Sequence, residues 1–322
     1  MKGVLIFCAR ILVSFTFLYS GFVKLVDPLG SSYKFEEYFG VDVLNLEFLI
    51  PYSLSFSILL IIVEIMLGVT LLIGYRPKLT TWALLGMTLF FLFLTWYSAY
   101  YDKVTDCGCF GDALKLSPWD TFYKNVLLLL LILPLVTNTM YLNSVFSDKV
   151  MRNISLFCLG LFVYLTNHVL LHLPLIDFRA YAIGNSIVEG MKYEDGSDEL
   201  PPVHDFFLES ETEDLTDSIL SSPKAMLIVS YDLNNSNMKG FNKLRVVTEE
   251  AAENGYTVFG ISASSTFLAN EIRNEFDLPF EFLFCDETTL KTIIRANPGI
   301  LTLENGSVSG KWSWRDADAV FQ

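Results

Sequence analysis

The sequence is poor in charge and in histidine. Only 18% of its 322 residues are charged, only three are histidine, and 36 acidic residues outnumber 22 basic ones. Together with a mean hydropathy of +0.43, this composition is unusual for a soluble globular protein and predicts a membrane protein. The net charge of −14 argues against a nucleic acid as a partner, because the phosphate backbone is itself negative.

Several common sequence signals are missing. There is no internal repeat, no low-complexity tract, and no interrupted apolar segment of the kind found at transporter binding sites. The first apolar segment has no small-residue cleavage site before Lys24, and Arg10 interrupts its apolar core. We therefore expect an uncleaved transmembrane helix rather than a secretory signal, and a transporter is the weakest function class.

Five apolar runs are long enough to span a bilayer, which requires about 20 residues each. They lie at roughly 3–23, 50–74, 79–100, 121–142 and 153–173. Acidic and basic residues are equally frequent in residues 1–173, so the excess negative charge lies in the remainder. We predict a membrane domain over 1–142, a fifth helix and linker over 143–199, and a water-soluble domain over 200–322.

The basic residues near the ends of the apolar runs predict the orientation in the membrane. These residues are Lys2, Arg76, Lys78, Lys149 and Arg152. If the five helices alternate in direction, all of these residues lie on the side of the N-terminus, and basic loops stay in the cytoplasm. We therefore predict an inner (cytoplasmic) membrane protein whose N-terminus is cytoplasmic. The loops at 24–49 and 101–120 and the C-terminal domain are then periplasmic or extracellular.

Two cysteines lie between the third and fourth apolar runs, in the segment Asp106-Cys107-Gly108-Cys109-Phe110-Gly111-Asp112. A thiol pair at a membrane edge can exchange disulfides with a partner, and the membrane can supply a quinone as a lipid-soluble oxidant. A disulfide across a Cys-x-Cys spacing needs a tight, strained ring, which makes it labile and oxidising. Alternatively, the pair only ties the loop together or is never oxidised.

Three features together resemble the DoxX/MauE group of membrane redox proteins. They are the segment Ser20-Gly21-Phe22-Val23-Lys24-Leu25-Val26-Asp27-Pro28, Glu64, and the Cys-Gly-Cys-Phe-Gly loop. The resemblance covers roughly residues 1–142 and implies a four-helix bundle, to which the fifth helix is an addition. Members of the MauE branch are associated with disulfide formation in exported proteins. The resemblance therefore implies thiol chemistry at Cys107 and Cys109, with Asp106, Gly108, Phe110, Gly111 and Asp112 in a supporting role.

Two ionisable residues interrupt the apolar helices. By the rise per residue, Arg10 lies about 10 Å and Glu64 about 15 Å from the cytoplasmic face, so they are candidates for an interhelical ion pair. In a functional interpretation, Glu64 is a proton acceptor or part of a quinone site. In a structural interpretation, the pair only holds two helices together, with Arg10 extending toward the headgroups.

A metal site is an alternative use of the same sulfurs. His168 and His172 are four residues apart near the outer end of the fifth helix, so both are expected on one face and on the side of Cys107 and Cys109. Two thiolates and two imidazoles would suit a tetrahedral metal ion. The histidines are otherwise ordinary polar residues at the interface.

The C-terminal part alternates strands with helices. Apolar runs at 224–230 and 256–262 flank a helical stretch at roughly 237–254, which predicts a parallel β-α-β unit. A hairpin with the turn Asn305-Gly306 follows. The chain is therefore predicted to combine a membrane all-α bundle with an α/β domain.

The order of these elements resembles a thioredoxin-like domain of the TlpA or peroxiredoxin type over roughly residues 200–318. Pro298 matches the family's cis-proline. The family's active-site cysteines would follow the first strand, but residues 231–237 contain none, and Cys285 lies elsewhere. The resemblance thus implies a domain without redox activity of its own, which can still bind an extended peptide.

Two functions remain open. In the first, the protein exchanges electrons through Cys107 and Cys109, and its C-terminal domain holds an exported client protein or a soluble redox partner. In the second, it is a non-enzymatic, membrane-anchored adaptor of an envelope complex, and the cysteine pair is structural. In both, the lipid bilayer surrounds the helices.

Overall fold

The computed structural model describes residues 2–104, 106–193 and 200–322, and it divides into two compact units, Met1–Val169 and Leu170–Gln322. The first unit is helical, and the second contains a five-stranded sheet. The second unit begins well before residue 200, where the sequence predicted its start. The physical reason is that the segment before residue 194 belongs to the core and edge of this unit.

The helices of the first unit are α1 (Lys2–Val26), α2 (Pro28–Phe39), α3 (Ser53–Ile73), α4 (Pro77–Tyr100), α5 (Pro118–Thr137) and α6 (Asp148–Leu171). Among the described residues, five helices are long and apolar enough to cross a membrane, namely all of these except α2, with a 3-10 turn over Glu47–Tyr52 extending α3. This confirms the predicted number of spans. Helix α2 was not predicted and lies where the sequence indicated only a loop.

Local sequence signals set the starts of three helices. Helices α4 and α5 begin with a proline, whose missing N–H has no partner in the first turn of a helix. Ser117 caps α5, since its hydroxyl accepts a hydrogen bond from the Asp120 N–H at 3.2 Å. Asp27 caps α2 in the same way, accepting from the Gly30 N–H at 2.9 Å. The chain therefore turns directly from α1 into α2.

Helices α1 and α3 approach each other closely because glycines lie at their interface. A Cβ on Gly21 of α1 would lie 2.4 Å from Cγ1 of Ile65, and one on Gly68 of α3 would lie 2.8 Å from Cγ of Leu18. Small residues at helix interfaces allow such contact in membranes, where packing rather than the hydrophobic effect drives association. The close approach brings polar side chains of the two helices within hydrogen-bonding distance.

The second unit is built on a mixed sheet. Its elements are α7 (Ile187–Gly190), α8 (Thr216–Leu220), β1 (Ala225–Val229), α9 (Met238–Glu253), β2 (Thr257–Ser262), α10 (Thr266–Glu275), β3 (Phe282–Phe284), α11 (Glu287–Ile293), β4 (Gly299–Glu304) and β5 (Ser307–Ser313). The strand order is β3-β2-β1-β4-β5. Strands β1 and β2 are parallel, which confirms the predicted β-α-β unit, and β4 is antiparallel to β1 and β5.

The segment before residue 194 completes the core and one edge of the second unit. Tyr181 and Ile187 are buried in the core beneath the sheet. The Ile187 N–H donates to the carbonyl of Gly306 at 2.9 Å, and Ser186 forms a bridge with Ser307 of β5. These contacts explain why the unit starts at Leu170, since the segment buries its apolar side chains only against the sheet.

A buried cluster of three charges ties this segment to β5. Asp177 lies 2.7 Å from Nε of Arg179 and 2.6 Å from Nζ of Lys311. Burial opposes ionisation of Asp177, but the two cations outweigh it and hold the pKa of its carboxyl below the usual range. Burial lowers the pKa of Lys311 to about 8, and Arg179 adds to this, while Asp177 acts in the opposite direction.

Candidate functional site

The two cysteines lie in the connection between α4 and α5. This connection turns at Gly108 and Gly111, whose φ angles of 65° and 50° favour glycine. The Asp106 carboxylate accepts a hydrogen bond from the Gly108 N–H at 3.0 Å, and the Gly111 N–H donates to the Gly108 carbonyl at 3.2 Å. The turns place Cys107 and Cys109 in different surroundings, although only one residue separates them.

Cys107 is the buried member of the pair, with 8% of its surface exposed. It packs in a buried cluster with Tyr38 of α2. Burial raises the pKa of Cys107 to about 11; Cys109 and Asp106 also raise it, and the neighbouring hydroxyls of Tyr38 and Thr121 only partly offset this. At neutral pH, Cys107 is therefore a protonated thiol and a weak nucleophile.

Cys109 is only partly buried and lines a cavity inside the helical unit. Its carbonyl oxygen lies 2.8 Å from the hydroxyl oxygen of Ser20 on α1. Cys109 is thus more exposed than Cys107.

A buried ion pair lies next to Cys109. Lys24 Nζ is 2.8 Å from Oε2 of Glu64, and each side chain is only 6% exposed. The Ser20 hydroxyl accepts from Lys24 Nζ at 2.7 Å and lies 2.9 Å from Glu64 Oε1 and 2.8 Å from the Cys109 carbonyl. Since a hydroxyl has one proton, it can donate to either of these two oxygens. Ser20 thus connects the ion pair with the cysteine loop.

The predicted ion pair between Arg10 and Glu64 is wrong. Arg10 instead donates to three backbone carbonyls: Nε to Leu71 at 2.9 Å, and the other two nitrogens to Leu72 at 2.8 Å and Asn143 at 2.9 Å. The carbonyls in the last turn of α3 have no partner within the helix, so they attract a donor. Arg10 therefore stabilises the end of α3 and lies about 21 Å along α1 from Lys24.

The cavity beside Cys109 combines aromatic and polar side chains from α1, α3, α4 and α5. Its polar lining consists of Thr16, Ser20, Glu64, Thr88, Lys124 and Asn125. Thr88 is 2% exposed, and its hydroxyl has no hydrogen-bond partner within the part of the chain that the structure describes. The Asn125 amide donates to Oγ1 of Thr95 at 3.3 Å. Acidic, basic and hydroxyl-bearing residues therefore line the same cavity as Cys109.

Phe110 and Asp112 complete the predicted cysteine loop. Phe110 packs against Tyr19 with ring centroids 5.5 Å apart, and Lys124 Nζ lies 4.5 Å from the centroid of the Phe110 ring. A cation over an aromatic ring gains about 0.5–2 kcal/mol. Asp112 lies in a short 3-10 turn over Gly111–Ala113. The aromatic contacts hold the loop against α1 and α5.

Replacing Gly108 with alanine is expected to destabilise the loop by about 1–2 kcal/mol, because a left-handed backbone is unfavourable for alanine. The new Cβ would also lie 2.8 Å from Cγ of Lys34. Thermal unfolding in detergent and the rate of Cys109 alkylation measure the effect. Gly86→Ala is the control, because nothing lies within 4 Å of a Cβ there. Equal behaviour of the two variants would contradict the importance of this turn.

The Cys/His metal site is not assembled. Within residues 2–104, 106–193 and 200–322, no group of three or more His, Cys, Asp or Glu side chains is arranged to hold a metal ion. His168 stacks on Tyr164, whereas His172 Nδ1 lies 2.7 and 2.9 Å from the carboxylate oxygens of Asp316. His168 lies in the last turn of α6, and His172 directly follows the end of that helix at Leu171.

In the second unit, hydroxyl and amide groups occupy the segment after β1. The hydroxyls of Ser230 and Ser236 are hydrogen-bonded to each other, and both lie 2.9 Å from Oδ1 of Asn297. The Asn297 amide donates to the carbonyl of Asp232 at 2.8 Å, and the bond between Asn297 and Pro298 is cis. This network holds the segment against Pro298 without any sulfur.

The remaining thiols are not arranged for exchange. None of the five cysteines is in a disulfide. Cys285 is 1% exposed, and burial raises the pKa of its thiol to about 12, so it stays protonated at neutral pH. It packs in the core beneath the sheet, as expected.

Sequence reasoning assigned no role to Ser20, Lys24 or Thr88. Ser20 and Lys24 are four residues apart, so both lie on one face of α1, and this spacing was a usable signal. Nothing in the sequence indicated a role for Thr88, because threonine is common within apolar helices. Only the packing of α4 against the other helices brings Thr88 into the cavity.

Comparison with known proteins gives one match. Residues 2–138 match the family model described as methylamine utilisation protein MauE. No curated protein and no solved structure matches the chain. The match covers α1 to α5 and therefore includes the buried ion pair and both loop cysteines, but not the sheet of the second unit. The N-terminal part of this membrane protein is thus similar to the MauE family.

Proposed function

We propose that this chain is an integral membrane thiol–disulfide redox protein that works through Cys107 and Cys109. The observation that carries the proposal is the asymmetry of the pair. Cys109 is partly exposed and adjoins a buried ion pair and a polar cavity, whereas Cys107 is buried beside it. One sulfur is thus available to a partner, and the other is protected and close in sequence, as in a two-cysteine exchange site.

The chemistry is a two-electron exchange. When a client dithiol is oxidised, a disulfide forms in the client and the bond between Cys107 and Cys109 breaks, and these two sulfurs take up two protons. The pair is reset when a lipid-soluble quinone in the bilayer accepts two electrons and two protons and becomes a quinol. The client is an exported protein or a soluble redox partner.

The orientation follows from the basic residues. Arg76 and Lys78 flank the start of α4, and Lys149 and Arg152 lie in the first turns of α6. Placing this end of the helices in the cytoplasm satisfies the preference of basic loops for that side. The Cys107 loop at the other end of α4 then faces the periplasm or the cell exterior, where disulfides persist.

The second unit is a thioredoxin-like domain that binds the client without redox chemistry of its own. Its strand order, the cis bond before Pro298 and the helix α9 after β1 support this interpretation. The hydroxyl network of Ser230 and Ser236 occupies the place where that family has its cysteines. Such a domain holds an extended peptide beside its proline.

Mixed-disulfide trapping tests the proposal. A Cys107→Ser variant is expected to accumulate client adducts on Cys109, because the neighbouring sulfur that would release them is gone. Adducts are detected by non-reducing electrophoresis of the tagged full-length protein and should disappear on reduction. Cys109→Ser should capture none, and Cys158→Ser serves as a control for unrelated thiols. Equal adducts in Cys107→Ser and Cys109→Ser would contradict the proposal.

The adaptor function predicts a different outcome. A Cys107→Ser, Cys109→Ser double variant would then support growth and co-purify with the same proteins as the wild type. Under the redox proposal, the double variant forms no client adducts, and the client proteins that depend on the cysteine pair are no longer oxidised. Co-purification and client oxidation, both measured in the strain with the double variant, therefore distinguish the two functions.

A further inference from the structure

We propose that Glu64, with Lys24 as its counter-ion, accepts the proton of the Cys109 thiol through a water molecule held in the cavity by Thr88. The inference rests on the proposed thiol exchange and adds its proton acceptor. Thiolate, not thiol, attacks a disulfide, so a half-buried cysteine needs a base within reach.

Glu64 is buried and held in a defined position. It is 5% exposed, and its Oε2 is bound by Lys24 Nζ at 2.8 Å. Its Oε1 is 2.9 Å from the Ser20 hydroxyl, and Glu64 also lines the cavity. Ionisable groups inside a membrane helix are costly and commonly mark proton pathways. Here Lys24 supplies a counter-charge next to the carboxylate that would take up the proton.

The connection to Cys109 is direct. The Ser20 hydroxyl lies 2.8 Å from the Cys109 carbonyl and 2.9 Å from the Glu64 carboxylate, so one side chain ties the backbone of Cys109 to Glu64. Cys109 and Glu64 line the same cavity. A transfer within this cavity does not need bulk water.

Thr88 indicates what the cavity contains. Its hydroxyl is buried and has no partner among the described residues, which is unfavourable unless a polar molecule binds to it. Glu64, Lys124 and Asn125 line the same cavity. Buried water typically makes about three hydrogen bonds to such groups. A water bound to Thr88 would therefore share this cavity with Cys109 and Glu64.

The transfer balances without a further reactant. The S–H bond of Cys109 breaks, its proton passes to the water, and the water gives a proton to the Glu64 carboxylate. The sulfur keeps the electron pair as a thiolate, the form that is oxidised together with Cys107 when a quinone resets the pair. The proton held by Glu64 is then taken up as the quinone becomes a quinol. The charged and titratable groups around this step are Lys24, Lys124, Cys107 and Asp106, and Asp106 also faces Lys34 at 3.8 Å.

The pH dependence of Cys109 reactivity tests the inference. The probe is 4,4′-dithiodipyridine, whose reaction with a thiolate is followed by absorbance. It is applied to the detergent-solubilised full chain with Cys8→Ser, Cys107→Ser and Cys158→Ser, so that Cys109 is the only accessible thiol. With Glu64 present, the rate is expected to rise much less than tenfold per pH unit between about pH 6 and 8, because transfer from sulfur to carboxylate supplies thiolate without loss of a proton to solvent.

The Glu64→Gln variant is expected to make the rate of Cys109 depend more steeply on pH. Its rate should rise about tenfold per pH unit, because thiolate then forms only by loss of the proton to solvent. At pH 6 the variant should be on the order of 100-fold slower than its parent. Glutamine keeps the hydrogen bond to Ser20, and Lys24, near the end of α1, can extend toward water. A purely structural role for Glu64 would alter the rate at all pH values without changing the slope.

A second variant leaves the ion pair intact. Thr88→Val removes the hydroxyl that holds the water and is expected to slow the reaction at pH 6 by about tenfold. Thr81→Val is the matched control: Thr81 is buried on the same helix, but its hydroxyl donates to the carbonyl of Pro77 at 2.8 Å and does not line the cavity. Its rate should stay within about twofold of the parent.

Two results would overturn the inference. One is a Glu64→Gln variant whose rate depends on pH in the same way as that of its parent. The other is an equal reaction rate in Thr88→Val and Thr81→Val. These measurements need no physiological client. If the proton pathway fails while trapping on Cys109 succeeds, the exchange function stands. If trapping fails, the pH slope still reports whether Glu64 serves the thiol.

Discussion

Replacing Lys24 with methionine is expected to lower the free energy of unfolding of the helical unit by about 3–5 kcal/mol. The substitution removes the ammonium 2.8 Å from Glu64 and leaves a carboxylate that is 5% exposed without its counter-charge. The loss is measured by thermal unfolding of the full chain in detergent. It should be accompanied by faster alkylation of Cys109, because Ser20 loses the donor that positions it against the loop.

Two further variants separate the missing charge from lost packing. Lys24→Met combined with Glu64→Leu removes both charges and should recover most of the stability, since apolar replacement of a whole buried pair is often neutral. Lys34→Met changes a lysine that is 32% exposed and paired with Glu37, so its effect should stay within about 1 kcal/mol. Equal losses for the Lys24 and Lys34 variants would contradict the buried ion pair.

The second large effect is expected in the sheet unit, where Asp177→Asn should cost about 3–5 kcal/mol. The change leaves Arg179 and Lys311 buried without a counter-charge. Pulse proteolysis of the full chain in urea measures the stability of this unit. Asp318→Asn is the control, because this exposed carboxylate pairs only at the surface with Lys243.

The charge cluster also predicts a pH dependence of stability. The folded-state pKa of Asp177 is lowered, so its contribution is present above the usual aspartate pKa and is lost as the pH falls through the lowered value. Asp177→Asn should remove this acid-dependent loss. The pKa of Lys311 is lowered to about 8, so the unfolded chain holds more protons than the folded one from there to about pH 10.4. Stability should rise with pH in that window, and Lys311→Met should abolish the rise.

The apolar runs predicted five membrane spans because length and composition alone determine whether a helix can cross a bilayer. Helix α2 was missed because it is short and lacks an apolar face of regular spacing, although the Asp27-Pro28 start signal is present. Residues before 194 belong to the sheet unit because single side chains such as Ile187 pack into its core. Single buried side chains leave no periodic pattern in the sequence, so this segment was not predicted. The β-α-β unit and the hairpin were predicted from apolar strands and a turn with strong local preferences.

The partner of Glu64 in the ion pair could not be predicted from the sequence alone. The rise per residue placed Arg10 and Glu64 at similar depths, and depth was the only coordinate available from the sequence. The partner is decided by the face that each helix presents and by how closely α1 approaches α3, which Gly21 and Gly68 permit. Lys24 was therefore the partner, and Arg10 was free to bind the end of α3. The burial difference between Cys107 and Cys109 likewise depends on α2, which supplies Tyr38.

The thiol state of Cys107 and Cys109 in intact cells tests the central claim most directly. Cells are quenched in acid, and free thiols of a Cys8→Ser, Cys158→Ser variant are labelled under denaturing conditions with a maleimide polymer that shifts the protein on a gel. Only the pair and Cys285 can then react. Thiol exchange with a quinone as acceptor predicts a population with the pair oxidised, which becomes reduced when quinone synthesis is blocked. The account would be contradicted if the thiol state of the pair, whether reduced or oxidised, did not change with the quinone supply.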